Sequence, residues 1–361
     1  MKGRATANLI VFFVSTLFIL SFLEIGTRLF VFRKRPQLIV KRASPRETGK
    51  ELSFLKPSFE ATLLSAEYET EIKTNSEGFR DTEFPVNKPD GVFRILVAGD
   101  SFTYGIGVEA GETYPKIMEK ILNEKRPDQD LKYEVFNLGI PDIGTFEELE
   151  IIRYGMKYNP DLILLGLLVE NRWAERGNDL CDNFRYGGRL KNGKLSESNP
   201  PPDSGFNSKL IQSLNSLHRL LINHSEFYFL LMTHKGGSLR KRLVRLRGNQ
   251  NQERLNAAWG ITREALKKIR AIVQERNLPL VVLSIPFSDD FEIPDAGLRD
   301  ELVKLGRESG VNIFDLSEAL RQNKGDDLYY QADGHWRPLG HRLLAEAAVD
   351  YLVANNFVPD E

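Results

Sequence analysis

A chain of 361 residues with 49 basic and 50 acidic side chains, 41% hydrophobic and 27% charged, has the make-up of an ordinary globular protein of one large or two small domains. Its formal net charge of −1 offers none of the basic excess on which phosphate-backbone binding draws, which argues against nucleic acid as a partner. Cys181 is the only cysteine, so an intrachain disulfide is excluded, and the compartment is left open because many periplasmic proteins also lack such bonds.

The first predicted element is an uncharged run from Ala5 to Leu23, rich in Leu, Ile, Val and Phe. Its 19 residues, at about 1.5 Å each, reach across a hydrocarbon core of about 30 Å. A cleaved signal peptide is the competing reading, but its apolar region is usually shorter, about 7 to 15 residues. No small-x-small site follows either; Glu24-Ile-Gly-Thr-Arg28 stands there instead. A single-pass transmembrane helix is therefore expected, with a buried soluble helix as the third reading. Lys2 and Arg4 precede the run, whereas Arg28, Arg33, Lys34, Arg35, Lys41 and Arg42 follow it, and the positive-inside rule alone would hold the rest of the chain in the cytoplasm.

Residues 33–90 read as a polar, strand-poor connector. Its end, Thr74-Asn-Ser-Glu-Gly-Phe-Arg-Asp81, has turn chemistry around one aromatic and is expected to be an ordered loop packed on the first strand. Substrate contact by Asn75 or Arg80 is the alternative.

From residue 93 short apolar runs alternate with helical patterns. Arg94 to Ala98, Glu134 to Asn137, Leu162 to Leu168, Leu280 to Ile285 and Asn312 to Phe314 read as buried parallel strands. Thr113 to Asn123, Phe146 to Lys157, Ala257 to Arg276, Leu298 to Ser309 and Leu339 to Asn355 read as helices, the last opening after Pro338. Strand and helix alternating in this way imply right-handed crossovers and a parallel sheet covered on both faces. An insertion at about 172–252 interrupts the pattern. It carries a helical patch, Leu210 to Met232, and a basic stretch of Lys235, Arg240, Lys241, Arg242, Arg245 and Arg247. These cations read as a solvated helix face or as a contact for anionic lipid headgroups or an acidic polysaccharide.

The chemistry sits at two points. Phe93-Arg-Ile-Leu-Val-Ala-Gly-Asp-Ser-Phe-Thr-Tyr-Gly105 is a strand that delivers Ser101 into a glycine-bracketed turn, and Asp333-Gly-His335 follows far downstream. A serine hydroxyl is a poor nucleophile at neutral pH unless an imidazole takes its proton and a carboxylate orients that imidazole. The bland reading of Ser101 is a helix N-cap. In open α/β sheets, however, ligands lie beyond the carboxyl ends of strands, where helix N-termini present N–H groups to negative charge. Asp100 is expected to brace the turn, His341 to be structural and Cys181 to be inert. No His and carboxylate cluster has metal-ligand spacing and no Gly-x-x-x-x-Gly-Lys loop exists, so no cofactor is expected.

Four blocks, Gly99-Asp100-Ser101-Phe102, Asn137-Leu-Gly-Ile-Pro-Asp142-Ile-Gly144-Thr, Val169-Glu170-Asn171-Arg172 and Asp333-Gly-His335-Trp-Arg-Pro-Leu-Gly-His341, together resemble the SGNH (GDSL-type) hydrolases. The resemblance covers roughly residues 91 to 355 and implies an α/β, three-layer, flavodoxin-like fold. It implies Ser101 as nucleophile, His335 as base and Asp333 as its orienting acid. It also implies an oxyanion hole of the Ser101 and Asp142 backbone N–H groups and the Asn171 amide. The second and third blocks depart from the family: Asp142 stands at a usual glycine, and Glu170 and Arg172 replace the glycine and aspartate of Gly-x-Asn-Asp. The α/β-hydrolases share the order Ser, Asp, His but present serine in Gly-x-Ser-x-Gly on a later strand, which this chain does not do.

The expected organisation is an anchor at 1–32, a connector at 33–90 and the hydrolase-like domain at 91–357. The expected activity is that of a serine esterase on an ester, such as an O-acylated cell-envelope glycan or lipid. An O-acyltransferase acting on an envelope polysaccharide and a catalytically degenerate binding or assembly protein are the alternatives. Likeness to membrane-anchored family members places the catalytic domain outside the cytoplasm, periplasmic or at the cell surface, against the charge count.

Overall fold

The computed structural model describes residues 2–30, 55–65, 67–125, 131–141, 143–168, 188–191, 194–197, 225, 227, 251–286, 296–323, 327–330 and 333–359. These fall into two compact units, one holding the N-terminal helix and the other the sheet and its helices.

Helix α1 (Lys2–Phe30) covers the uncharged run without a break. Thr16 and Thr27 return their hydroxyls to the carbonyls of Phe12 and Leu23 four residues back, at 2.8 and 2.7 Å, which satisfies them within the helix. Phe12, Leu17, Phe18, Phe22, Ile25 and Leu29 are exposed. Among the described residues no helix is long and apolar enough to cross a membrane, so the span expected over Ala5 to Leu23 is not found there. At the end of the run Glu24 accepts hydrogen bonds from the Ser225 hydroxyl at 2.8 Å and the Phe227 N–H at 3.1 Å.

The second unit is built on five parallel strands, β3 (Val92–Gly99), β4 (Lys132–Gly139), β5 (Leu162–Leu168), β8 (Leu280–Ile285) and β9 (Asn312–Asp315), in the order β4-β3-β5-β8-β9. That order is the doubly wound one, with the direction of winding reversing beside β3. Alternation along the strands splits the apolar side chains between two cores. Leu96, Ala98, Leu138, Ile163, Leu165 and Val282 face one core with α4 (Thr145–Gly155), α5 (Asn251–Gln274) and α6 (Ala296–Ser309). Ile95, Val97, Val135, Leu164, Val281 and Leu283 face the other with α3 (Tyr114–Glu124), α7 (Ser317–Arg321) and α8 (Pro338–Ala354). Strands β6 (Gly188–Lys191) and β7 (Lys194–Glu197) form an antiparallel pair between β5 and β8 in the chain.

The connector differs from its sequence reading. Strands β1 (Glu60–Leu64) and β2 (Glu69–Lys73) form a two-stranded sheet, and their Leu63 and Ile72 pack with Leu55 on Tyr104 and Ile106, just beyond Ser101. Both strands are short, and β2 carries charged residues at alternate positions, which hides them from a search for apolar runs. The loop at Thr74 to Asp81 is ordered, as expected. The Asn75 side chain accepts from the Glu77 and Phe79 N–H groups, both at 3.0 Å, and Arg80 is buried, so both serve the fold.

Candidate active site

Three glycines in register make the floor of the site. Gly139, Gly99 and Gly166 are neighbours across β4, β3 and β5 near their carboxyl ends. On this floor lies α2 (Ser101–Tyr104), a single helical turn. A Cβ at Gly139 would collide with the Tyr104 N–H, and one at Gly166 would lie 2.6 Å from the Thr103 hydroxyl oxygen. The helix therefore approaches the sheet more closely than any side chain would permit.

Asp100 caps α2, its Oδ1 accepting the Phe102 N–H at 2.9 Å. Gly105 closes the turn in the left-handed region at φ 82° and returns its N–H to the Ser101 carbonyl. Behind the turn Asn137 donates to the Thr103 carbonyl at 2.9 Å, and the Thr103 and Tyr114 hydroxyls pair at 2.8 Å. The Arg80 guanidinium donates to the carbonyls of Gly105 at 2.6 Å, Val108 at 2.7 Å and Glu71 at 2.8 Å. None of these bonds uses the Ser101 hydroxyl.

That hydroxyl faces the loop before α8. The loop folds back on itself through a bridge between Tyr329 and Trp336, with Gly334 at φ 89° in the bend. The Tyr330 N–H donates to the His335 carbonyl at 2.8 Å, which fixes the backbone of the imidazole. His335 Nε2 lies 2.8 Å from Ser101 Oγ, and its Nδ1 bonds Asp333 Oδ1. The second Asp333 oxygen accepts from the Tyr68 hydroxyl at 2.8 Å, and the Asp333 N–H donates to Glu67 at 3.0 Å. Burial alone would push the Asp333 carboxyl up, but the His335 charge and the hydrogen bonds from His335 and Tyr68 outweigh it and hold the carboxyl below its ordinary value. The Phe102 ring stands 4.8 Å from the imidazole and meets Trp336 edge-on at 4.7 Å.

Two buried ionisable groups surround this centre. His341 Nδ1 accepts the Tyr114 N–H at 3.2 Å, joining α8 to the first turn of α3. Burial, and then the positive charges of His335 and Arg80, depress His341 to about 3, so it is neutral and structural, as expected. Glu148 on α4 is fully buried, and neither carboxyl oxygen has a hydrogen-bond partner among the described residues. Burial and then the charges of Asp100 and Glu147 push its carboxyl well above the usual range.

The structure thus brings Ser101, His335 and Asp333 together. Asp142 and Asn171, named from the sequence as oxyanion donors, lie outside the described residues, as do Cys181, the patch Leu210 to Met232 apart from Ser225 and Phe227, and the basic stretch after it. The Ser101 N–H opens the first turn of α2, where helical N–H groups have no intrahelical acceptor. Sequence reasoning missed Tyr68, Glu67 and Glu148. It also missed the paired glycines, although a glycine at the end of Arg94 to Ala98, within Asn137-Leu-Gly and within Leu162 to Leu168 was a readable signal. Among the described residues no group of His, Cys, Asp or Glu is arranged to hold a metal ion.

No protein-family model matches the chain, and no curated protein matches it. Solved structures similar to it include TesA, at 12% identity and a TM-score of 0.40, covering 73% of this chain and 99% of that one. An acetyl xylan esterase, AlAXEase, is similar at 12% identity and a TM-score of 0.40, over 72% of this chain and 100% of that one. The lipase/acylhydrolase from Enterococcus faecalis is similar at 15% identity and a TM-score of 0.38, over 72% of this chain and 95% of that one.

Proposed function

We propose that the protein is a serine esterase of the SGNH type that works through an acyl-serine intermediate. The observation that carries this reading is the 2.8 Å approach of His335 Nε2 to Ser101 Oγ, with Asp333 on the other ring nitrogen. Ser101 Oγ attacks the ester carbonyl while His335 takes its proton, and Asp333 holds the tautomer that leaves Nε2 free to do so. The tetrahedral oxyanion is held by the Ser101 N–H and, in this proposal, by the Asp142 N–H and the Asn171 amide. Collapse breaks the bond to the alcohol, which leaves with the proton from His335. Water then repeats the sequence on the acyl-serine, releasing the acid and restoring Ser101.

The proposed substrate is an O-acylated cell-envelope glycan or lipid, and the proposed location is the membrane, with α1 as the attachment and the catalytic unit outside the cytoplasm. The uncharged run of Ala5 to Leu23 and the exposed apolar side chains along α1 support the anchor. Recovery of the full chain in carbonate-washed membranes, cleavable by protease added to spheroplasts, is expected. Recovery as a soluble protein overturns the anchor.

The activity is tested by turnover of p-nitrophenyl acetate and by fluorophosphonate labelling, wild type beside Ser101→Ala. Ser101-dependent turnover and labelling are expected. A folded wild-type chain that neither turns over nor labels removes the esterase reading.

A further inference from the structure

The acid of this candidate triad lies near water. The Asp333 side chain keeps 26% of its surface exposed and sits on a bend around Gly334, where His335 bonds Oδ1 through its ring Nδ1 and, at 3.4 Å, through its N–H. The donor to Oδ2 comes from 265 residues earlier in the chain. Two consecutive residues in the connection between β1 and β2 straddle Asp333. Glu67 takes its backbone N–H at 3.0 Å, and the Tyr68 hydroxyl donates to Oδ2 at 2.8 Å, which leaves Oδ1 to His335.

Tyr68 is itself held in place. Its ring lies 4.7 Å from the Tyr330 ring, and the Tyr330 hydroxyl donates to the Gly107 carbonyl at 2.7 Å. Gly107 sits at φ 88°, and a Cβ there would stand 3.2 Å from the Tyr68 ring and 2.5 Å short-range from Tyr330. The turn after Ser101, the loop of Asp333 and the β1–β2 connection therefore meet around one phenol.

We propose that Tyr68, assisted by Glu67, is a positioning residue of the catalytic centre: it fixes the rotation of the Asp333 carboxylate and, through Asp333, the plane of the His335 imidazole. The proposal rests on the reading of Ser101, His335 and Asp333 as a working triad. It gives the N-terminal extension a part in the chemistry that packing alone does not. A donor on Oδ2 also keeps Asp333 ionised and restricts it to one acceptor geometry toward Nδ1.

The test is a double-mutant cycle in the full chain with p-nitrophenyl acetate: wild type, Tyr68→Phe, Asp333→Asn and both together, with Ser101→Ala as the blank. Phe keeps the ring against Tyr330. Tyr68→Phe is expected to lower kcat by about tenfold with KM changed less than about twofold, since a misaligned group costs turnover more than binding. In the Asp333→Asn background the same change is expected to lower kcat by less than about twofold, because the partner it acts on is gone. The low-field proton of His335 Nδ1 should shift in Tyr68→Phe. An equal loss in both backgrounds, or kcat unchanged with Ser101-dependent turnover intact, overturns the role of Tyr68 and leaves the triad standing. Turnover insensitive to Ser101→Ala overturns the triad itself. Should Tyr68→Phe fail to fold, Glu67→Ala reads the same split, and a kcat equal to wild type there overturns the clamp.

Discussion

Asp100, and not Ser101, caps the helix that carries the candidate nucleophile: Asp100 Oδ1 accepts the Phe102 N–H at 2.9 Å. A serine at the start of a helix ordinarily turns its hydroxyl onto the backbone. Here the preceding carboxylate does that work, and the Ser101 hydroxyl points to His335. Asp100→Ala is expected to cost about 1 kcal/mol of stability, the usual value of a lost cap. It should lower turnover further by letting Ser101 compete for the Phe102 N–H. Thermal unfolding and p-nitrophenyl acetate kinetics on the same preparation check both parts. Asp100→Asn, which keeps the acceptor, should restore most of the stability.

The glycine floor gives a sharper expectation. Gly139→Ala places a methyl group against the Tyr104 N–H and the Thr103 carbonyl carbon, backbone atoms that cannot swing away. Overpacking of this kind costs about 1–3 kcal/mol, and the relief available is a lift of α2 away from the sheet. Ser101 travels with α2, so Ser101-dependent turnover of p-nitrophenyl acetate should fall by far more than the stability loss would explain. Gly111→Ala, where nothing lies within 4 Å, is the control and should leave both unchanged.

His341 predicts a pH dependence of stability. Its folded value is depressed to about 3 from 6.5, so below 6.5 the unfolded chain binds a proton that the folded chain refuses. Stability is therefore full above about pH 6.5 and falls as the pH drops toward 3, by about 1.4 kcal/mol per unit for this one group. His341→Gln, which retains an acceptor for the Tyr114 N–H, should remove that slope. Urea unfolding at pH 7 and pH 5 for the two proteins measures it, and equal slopes would show that another group titrates.

The strands and helices of the parallel sheet were legible because burial on both faces writes continuous apolar runs. Leu162–Leu168 and Leu280–Ile285 match the expected bounds at both ends. The approach of Ser101 and His335 was legible because each stands in a short local motif. Tyr68 was not, since a tyrosine in a polar stretch carries no mark of the carboxylate it meets 265 residues later. The β1–β2 sheet escaped for a related reason. Strands such as Glu69–Lys73 bury only alternate side chains, and their charged positions hide two buried ones in five residues. Asp142 and Asn171 rest on motif resemblance alone and lie outside the described residues.

The separation of 234 residues between Ser101 and His335 has a consequence for the timing of synthesis. The serine, its cap and its glycine floor leave the ribosome early, while the base and acid emerge together in one loop much later. At about 5–20 residues per second the interval is roughly 10–50 s. Throughout it the growing chain carries a serine with no base to activate it. On the proposed reading, ester cleavage becomes possible only when the loop before α8 docks, so the first turnover would mark completion of the domain, and a chain cut short before residue 335 would be chemically silent.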